Sequence, residues 1–95
     1  MSPTRYTVVS TDAADDVLMS LRLNYPKDRK AITRSSHVLQ AALRYDPEPQ
    51  GSPAGAKHPP GTLTLDRLPL RVLYEVSEPD RIVRLVDWEY LPAIP

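Results

Sequence analysis

The residues from Leu70 to Trp88 form two alternating runs around a polar turn, and this pattern restricts that part of the chain to a β-hairpin. Apolar residues occupy every second position of the first run, which is the period of a strand with one buried face. The sequence Glu-Pro-Asp at 78–80 interrupts the alternation and predicts the turn. With Pro79 and Asp80 as the loop, the expected cross-strand pairs are Glu78 with Arg81, Val76 with Val83, Glu75 with Arg84, Tyr74 with Leu85, and Arg71 with Trp88.

This register gives the hairpin one apolar face and one mixed face. Tyr74 shares the apolar face with Val72 and Val76, so we expect it in the core, with its hydroxyl bonded at the edge. A tryptophan on the other face often marks an interface, unless residues 91–95 fold back over it. The residues predicted on this open face are Arg71, Leu73, Glu75, Arg84 and Trp88.

The residues before the hairpin predict one strand and two helices. Residues 5–10 are β-branched and aromatic, as is typical of a strand, but no partner strand is evident. Helical spacing of apolar residues begins after Asp12, the expected N-cap, and continues to about Asn24, before Pro26. Asp28 is the expected cap of a second helix. The inner stripe of that helix is Ile32, Ser35 or Ser36, Leu39, Ala42 and Leu43.

The segment Pro47–Gly61 predicts a mobile loop, since it holds five of the eleven prolines and all three glycines. A strand at Thr62–Leu65 follows, joined to Leu70 by a turn centred on Arg67 and Leu68. The expected pairs are Leu65 with Leu70, Thr64 with Arg71, and Leu63 with Val72. These elements predict a single α+β domain over residues 1–95, in the order β-α-α-β-β-β, with a helical hairpin packed on one face of a small antiparallel sheet.

Composition excludes several classes of function. Twelve basic and twelve acidic side chains cancel, so the chain has no overall field that would attract a polyanion. The absence of cysteine excludes disulfides, thiolate nucleophiles and thiolate ligands for zinc. No apolar run approaches the roughly 20 residues of a membrane span. We therefore expect a cytoplasmic protein with no cofactor, no metal site and no membrane partner.

The strand from Leu70 to Val76 carries an arginine, two apolar residues and a tyrosine at Arg71 to Tyr74, after a tight turn and before a short acidic one. Together with the order of elements, this pattern resembles the RelE/ParE superfamily of bacterial toxins over most of the chain. The resemblance implies a small cytoplasmic toxin encoded beside a cognate antitoxin. RelE-like members cleave messenger RNA on the ribosome, whereas ParE-like members poison DNA gyrase.

The resemblance implies that Arg71 contacts the phosphate of a bound RNA. RelE-like members carry two lysines on the preceding strand, and here Thr62 and Thr64 stand at those positions. Threonine neither adds positive charge to a transition state nor accepts a proton at neutral pH, which argues against RelE-type cleavage. The alternative for Arg71 is a structural one, either an ion pair with Glu75 or a stack on Trp88.

Other residues are candidates to replace the missing catalytic groups. Lys57 and His58 adjoin each other in the loop, and a histidine titrates close enough to neutral pH to act as general acid or base. The same pair is equally typical of a solvated polar loop. The candidates to bind nucleic acid or a partner on this face and at its edge are Thr62, Thr64, Arg84, Trp88 and Tyr90.

A separate basic cluster of Lys27, Arg29, Lys30 and Arg34 opens the second helix, either as a contact for ribosomal RNA or gyrase or as a solvated helix face. Three functions stay open. The first is a RelE-like toxin that inhibits translation by cleaving messenger RNA on the ribosome, with Arg71 on the phosphate. The second is a ParE-like, non-enzymatic gyrase poison, and the third is a non-toxic protein of this fold that only binds a partner.

Overall fold

The computed structural model describes residues 5–92, in which two long helices cover one face of a five-stranded sheet. The strands are β1 (Thr7–Ser10), β2 (Ser52–Pro53), β3 (Leu63–Arg67), β4 (Leu70–Ser77) and β5 (Ile82–Tyr90), in the order β1-β5-β4-β3-β2. The helices are α1 (Asp12–Asn24), α2 (Arg29–Ala42) and the short α3 (Pro47–Gln50), with a 3₁₀ turn at Pro26–Asp28. The predicted α+β class and the helical hairpin are confirmed.

The first strand, β1, lies at one edge of the sheet and runs parallel to β5, with Val8 opposite Val83, so the sheet is mixed and the prediction of an antiparallel sheet was wrong for this strand. Thr11 joins β1 to α1, because its hydroxyl accepts a hydrogen bond from Ala14 N at 3.1 Å and donates one to the Leu85 carbonyl at 3.1 Å. The N-cap is therefore Thr11 and not Asp12 as predicted. Both residue types cap helices well, and the long-range bond to β5 decides between them.

The predicted inner stripe of α2 is confirmed at Ile32, Leu39 and Leu43, Ala42 is half-buried, and both serines face inward where the pattern left open which of them does. Ser35 and Ser36 are buried beside Ile32 and Leu39. The Ser35 hydroxyl donates to the Leu68 carbonyl at 2.9 Å, and the Ser36 hydroxyl donates within its own helix at 2.7 Å. Buried hydroxyls that are hydrogen-bonded cost little, so both serines can face the core.

The loop prediction for Pro47–Gly61 is wrong for its first residues, which form α3 and β2. The Tyr74 hydroxyl donates to the Pro47 carbonyl at 2.6 Å from a fully buried side chain, and burial raises the pKa of Tyr74 to about 12. The Gln50 amide donates to the carbonyls of Ala42 and Tyr45, at 2.9 and 2.5 Å, and so closes the end of α2. The Tyr74 bond joins residues 27 positions apart and the Gln50 bonds depend on a specific side-chain geometry, so composition alone shows neither.

The hairpin of β3 and β4 turns one residue later than predicted. Leu68 and Pro69 form the turn, with a cis peptide bond between them, so that Arg67 pairs with Leu70 and Asp66 with Arg71. The register differs from the predicted one by two residues, which keeps every side chain on its predicted face. The partner of Arg71 nevertheless changes, from Thr64 to Asp66.

The hairpin of β4 and β5 follows the predicted register only up to Tyr74, which pairs with Leu85. A bulge then leaves Val86 without a partner, so that Trp88 lies opposite Val72 and Glu89 opposite Arg71. Trp88 therefore points into the core and is 3% exposed. Its predicted place on the open face, opposite Arg71, was wrong because a bulge reverses the faces of all residues after it.

Candidate functional site

A pocket of about 390 Å³ lies beside Arg71, on the face of the sheet that α1 and α2 leave open. The residues of β2 and of the following loop form one wall, and side chains of β3, β4 and β5 form the floor. Its charged or titratable lining residues are His58, Asp66, Arg71 and Glu89.

Carboxylates hold the guanidinium of Arg71 on two sides. Arg71 Nε lies 2.7 Å from Asp66 Oδ1, and Arg71 Nη2 donates to Asp66 Oδ2 at 2.9 Å. Arg71 Nη1 lies 3.7 Å from Glu89 Oε1. Hydrogen bonding to Asp66 raises the pKa of Arg71 above its ordinary value. The predicted structural partners of Arg71 were wrong. It forms ion pairs with Asp66 and Glu89, whereas Glu75 lies opposite Arg84 and Trp88 lies in the core.

This arrangement is unfavourable for an incoming phosphate. Two carboxylates and one guanidinium leave a net negative charge at the floor of the pocket, and a phosphate would have to displace the two-point bond to Asp66. All three side chains are partly open to solvent, with 37% of Arg71 and 44% of each carboxylate exposed. The pocket therefore suits a neutral or cationic group better than an anion.

The structure brings only some of the predicted site residues to this pocket. His58 and Thr64 line it beside Arg71, with the Thr64 hydroxyl donating to the Ser52 carbonyl at 3.3 Å. Lys57 is exposed and does not line the pocket. Thr62 is 5% exposed, so it is not available as a contact residue.

The predicted contact residues on β5 lie elsewhere. The Tyr90 ring stacks on Tyr25 with 3.7 Å between ring centroids, and its hydroxyl donates to Asp28, which raises the pKa of Tyr90. The bulge turns Tyr90 towards the helices, so its predicted place at the open edge was wrong. Asp28 makes this bond and does not cap α2 with its side chain. Arg84 is exposed on the open face, about 13 Å from Arg71 at the usual rise of a strand.

Sequence reasoning missed Asp66 and Glu89, the two residues that determine the charge of the pocket. Pro69 was the available signal for Asp66, because proline favours a turn and places Arg67 opposite Leu70. Glu89 depends on the bulge. The residues of β5 that point into the core have odd numbers up to Leu85 and even numbers from Trp88 onwards. This shift in the alternation of large apolar residues is visible in the sequence and was the available signal for the bulge.

The sequence matches no family model and no curated protein. Several solved chains match this one, among them two that match along nearly their whole length. A chain of the RelBE2 toxin–antitoxin complex from Mycobacterium tuberculosis is 23% identical with a TM-score of 0.69, and the match covers 90% of this chain and 98% of that one. A chain of the chromosomal ParDE TA system from P. aeruginosa is 15% identical with a TM-score of 0.71, and the match covers 94% and 99%. This chain has the RelE/ParE fold.

The two carboxylates beside Arg71, those of Asp66 and Glu89, lead to a prediction about the binding of RNA at this pocket. Converting both carboxylates to amides, Asp66→Asn with Glu89→Gln, should strengthen the binding of a short RNA oligonucleotide at this pocket about fivefold, since an exposed ion pair contributes up to about 1 kcal/mol. Isothermal titration calorimetry measures the change. The control is Asp12→Asn with Asp16→Asn, which changes the net charge equally at exposed positions on α1. An equal gain in the control would show that only net charge matters.

Proposed function

We propose that this chain is the toxin component of a type II toxin–antitoxin pair and that it acts in the cytoplasm, where a cognate antitoxin binds it. The observation that carries this proposal is the near end-to-end match with chains from two toxin–antitoxin systems, at TM-scores of 0.69 and 0.71. No helix within residues 5–92 is long and apolar enough to cross a membrane.

The geometry favours a ParE-like action, in which the chain poisons DNA gyrase by binding and not by chemistry. Cleavage of RNA needs cationic groups that stabilise the negative charge of the phosphorane, and groups that move protons. Here the guanidinium of Arg71 is already bonded to Asp66, and threonines stand where the resemblance implies lysines. A surface that binds protein does not need an unpaired cation at this position.

RelE-type cleavage of messenger RNA on the ribosome is a second candidate, favoured by the position of His58. His58 lines the same pocket as Arg71, so an imidazole is available to take the proton of a 2′-hydroxyl near the one candidate phosphate ligand. This mechanism requires Arg71 to leave Asp66 when RNA binds. A third function, partner binding without toxicity, predicts that the folded chain does not affect growth.

Induced expression of the chain without an antitoxin should separate these three functions. We expect growth arrest with induction of the DNA-damage response and intact messenger RNA, and the same arrest with Arg71→Ala. Arg71 is partly exposed, so its removal should cost at most about 1 kcal/mol of stability. Arg84→Ala, which removes another arginine of the open face, is the matched control.

Two outcomes would contradict the proposal in different ways. Fragmented messenger RNA, together with loss of toxicity in Arg71→Ala but not in Arg84→Ala, would establish the RelE-type reaction. Normal growth with a soluble, cooperatively folded wild-type chain would show that the protein is not a toxin in that host.

A further inference from the structure

The basic residues of this neutral chain are concentrated between the end of α1 and the end of α2, whereas the start of α1 is acidic, with Asp12, Asp15 and Asp16. Residues 22–44 contain six basic side chains and one acidic one, a net charge of +5, whereas the rest of the chain has six basic and eleven acidic side chains, a net charge of −5. The one acidic residue, Asp28, already accepts the hydrogen bond from Tyr90. The segment 22–44 is therefore basic, and the end of the helical hairpin where α1 meets α2, with Arg22, Lys27, Arg29 and Lys30, would attract an acidic partner.

Two large apolar side chains are exposed at this basic end. Met19 and Leu23 lie one turn apart on α1 and are 62% and 68% exposed. The opposite side of α1 supplies the residues that pack on the core, so these two are not needed to hold the helix in place. Single exposed apolar side chains are common on protein surfaces, but a pair that shares a groove with two arginines offers a partner both apolar and charged contacts.

Arg22 and Arg29 flank this apolar pair, and together the four residues line a shallow groove of about 270 Å³, which we call the hairpin groove. Neither arginine forms an ion pair with another of the residues 5–92. Arg29 is also the first residue of α2, where the positive end of the helix dipole disfavours a cation. Carboxylates from a partner would relieve this accumulation of positive charge.

We infer that the hairpin groove binds an amphipathic helix whose apolar residues cover Met19 and Leu23 and whose flanking carboxylates pair with Arg22 and Arg29. A helix that presents leucines at i and i+4 matches the one-turn spacing of the apolar pair. Nucleic acid is a poorer match, since phosphates would gain nothing from the apolar centre of the groove. Only the source of this helix, an antitoxin segment, rests on the proposed function.

The test uses the full chain and a synthetic peptide of about 20 residues, long enough for several helical turns. The peptide has leucines along one helical face and glutamates on both sides of them. A second peptide has the same composition with the leucines scattered, and a single-stranded RNA of about 20 nucleotides represents the polyanion alternative. Fluorescence anisotropy should show that the chain binds the patterned peptide more tightly than the scattered peptide or the RNA.

Variants then locate the binding. Arg22→Glu with Arg29→Glu should weaken the patterned peptide at least about tenfold, and so should Met19→Ser with Leu23→Ser, because each removes one half of the recognition. Arg5→Glu with Arg67→Glu makes the same change of charge at exposed positions outside the groove and should leave affinity within about twofold. Circular dichroism confirms that each variant is folded.

Tighter binding of RNA than of the patterned peptide would overturn the inference, and so would equal binding of the two peptides or an equal loss in the control variant. The growth assay is independent of this result. A chain that binds the patterned peptide in the groove but does not arrest growth supports the inference and contradicts the proposed toxin. A toxic chain that does not bind the patterned peptide contradicts the inference and supports the proposed toxin.

Discussion

Replacing Trp88 by alanine is expected to lower the free energy of unfolding by about 3–5 kcal/mol, because it removes a large side chain from the core and leaves a cavity. Trp88 is 3% exposed, lies opposite Val72 in the sheet and belongs to the cluster that packs under the helices. Urea denaturation followed by circular dichroism measures the loss. Since this is the only tryptophan, its fluorescence in the wild type reports unfolding independently.

Two further variants show that the loss comes from burial. Trp88→Phe should cost less than about 1.5 kcal/mol, since it keeps an aromatic ring and removes an indole N–H that is buried without a hydrogen-bond partner among residues 5–92. Leu68→Ala shortens an apolar side chain that is 65% exposed and should change stability by about 0.5 kcal/mol or less. If Trp88→Ala cost no more than Leu68→Ala, Trp88 would lie on the open face.

The prediction for Trp88 also shows how far the sequence determines this hairpin. The turn at 78–80 and the pairs from Val76–Val83 to Tyr74–Leu85 were correct, because a local turn signal and a strict alternation fix them together. The bulge at Val86 was missed because an apolar residue there fits either face. Because this bulged residue was not recognised, Trp88 and Tyr90 were assigned to the wrong face, and Glu89 was not identified as the neighbour of Arg71.

The candidate site was predictable only in part, because the sequence determined the faces of the strands but not their exact register. Arg71 was correctly placed on the open face, and His58 lies beside it. The charge around Arg71 was not predictable without the exact position of the preceding turn. A two-residue change of register leaves the faces of β3 intact but exchanges Thr64, a neutral neighbour, for Asp66. The periodicity of a strand determines which face each side chain occupies. The register between strands determines which side chains are neighbours, and the chemistry of a site depends on those neighbours.

Replacing Tyr74 by alanine should cost about 3–5 kcal/mol as well, and it should also release α3. Tyr74 is fully buried, and its hydroxyl is the hydrogen-bond donor to the Pro47 carbonyl at the start of α3. The alanine variant leaves both a cavity and a carbonyl without its donor. Urea denaturation measures the first effect. The second effect is measured by hydrogen exchange: relative to the wild type, the backbone amides of Glu48, Gln50, Gly51 and Ser52 should exchange faster, by a larger factor than those of α2.

Gly51 provides a separate test of where the Tyr74 hydroxyl lies. A Cβ on Gly51 would overlap the Tyr74 hydroxyl and touch Leu63 Cβ at 3.0 Å, so Gly51→Ala should cost about 1–3 kcal/mol through overpacking. Tyr74→Phe removes the hydroxyl and should cost about 1 kcal/mol alone. In the phenylalanine background the alanine should therefore cost less, with a coupling of at least about 0.5 kcal/mol in a double-mutant cycle. Additive effects would mean that Gly51 does not approach this hydroxyl.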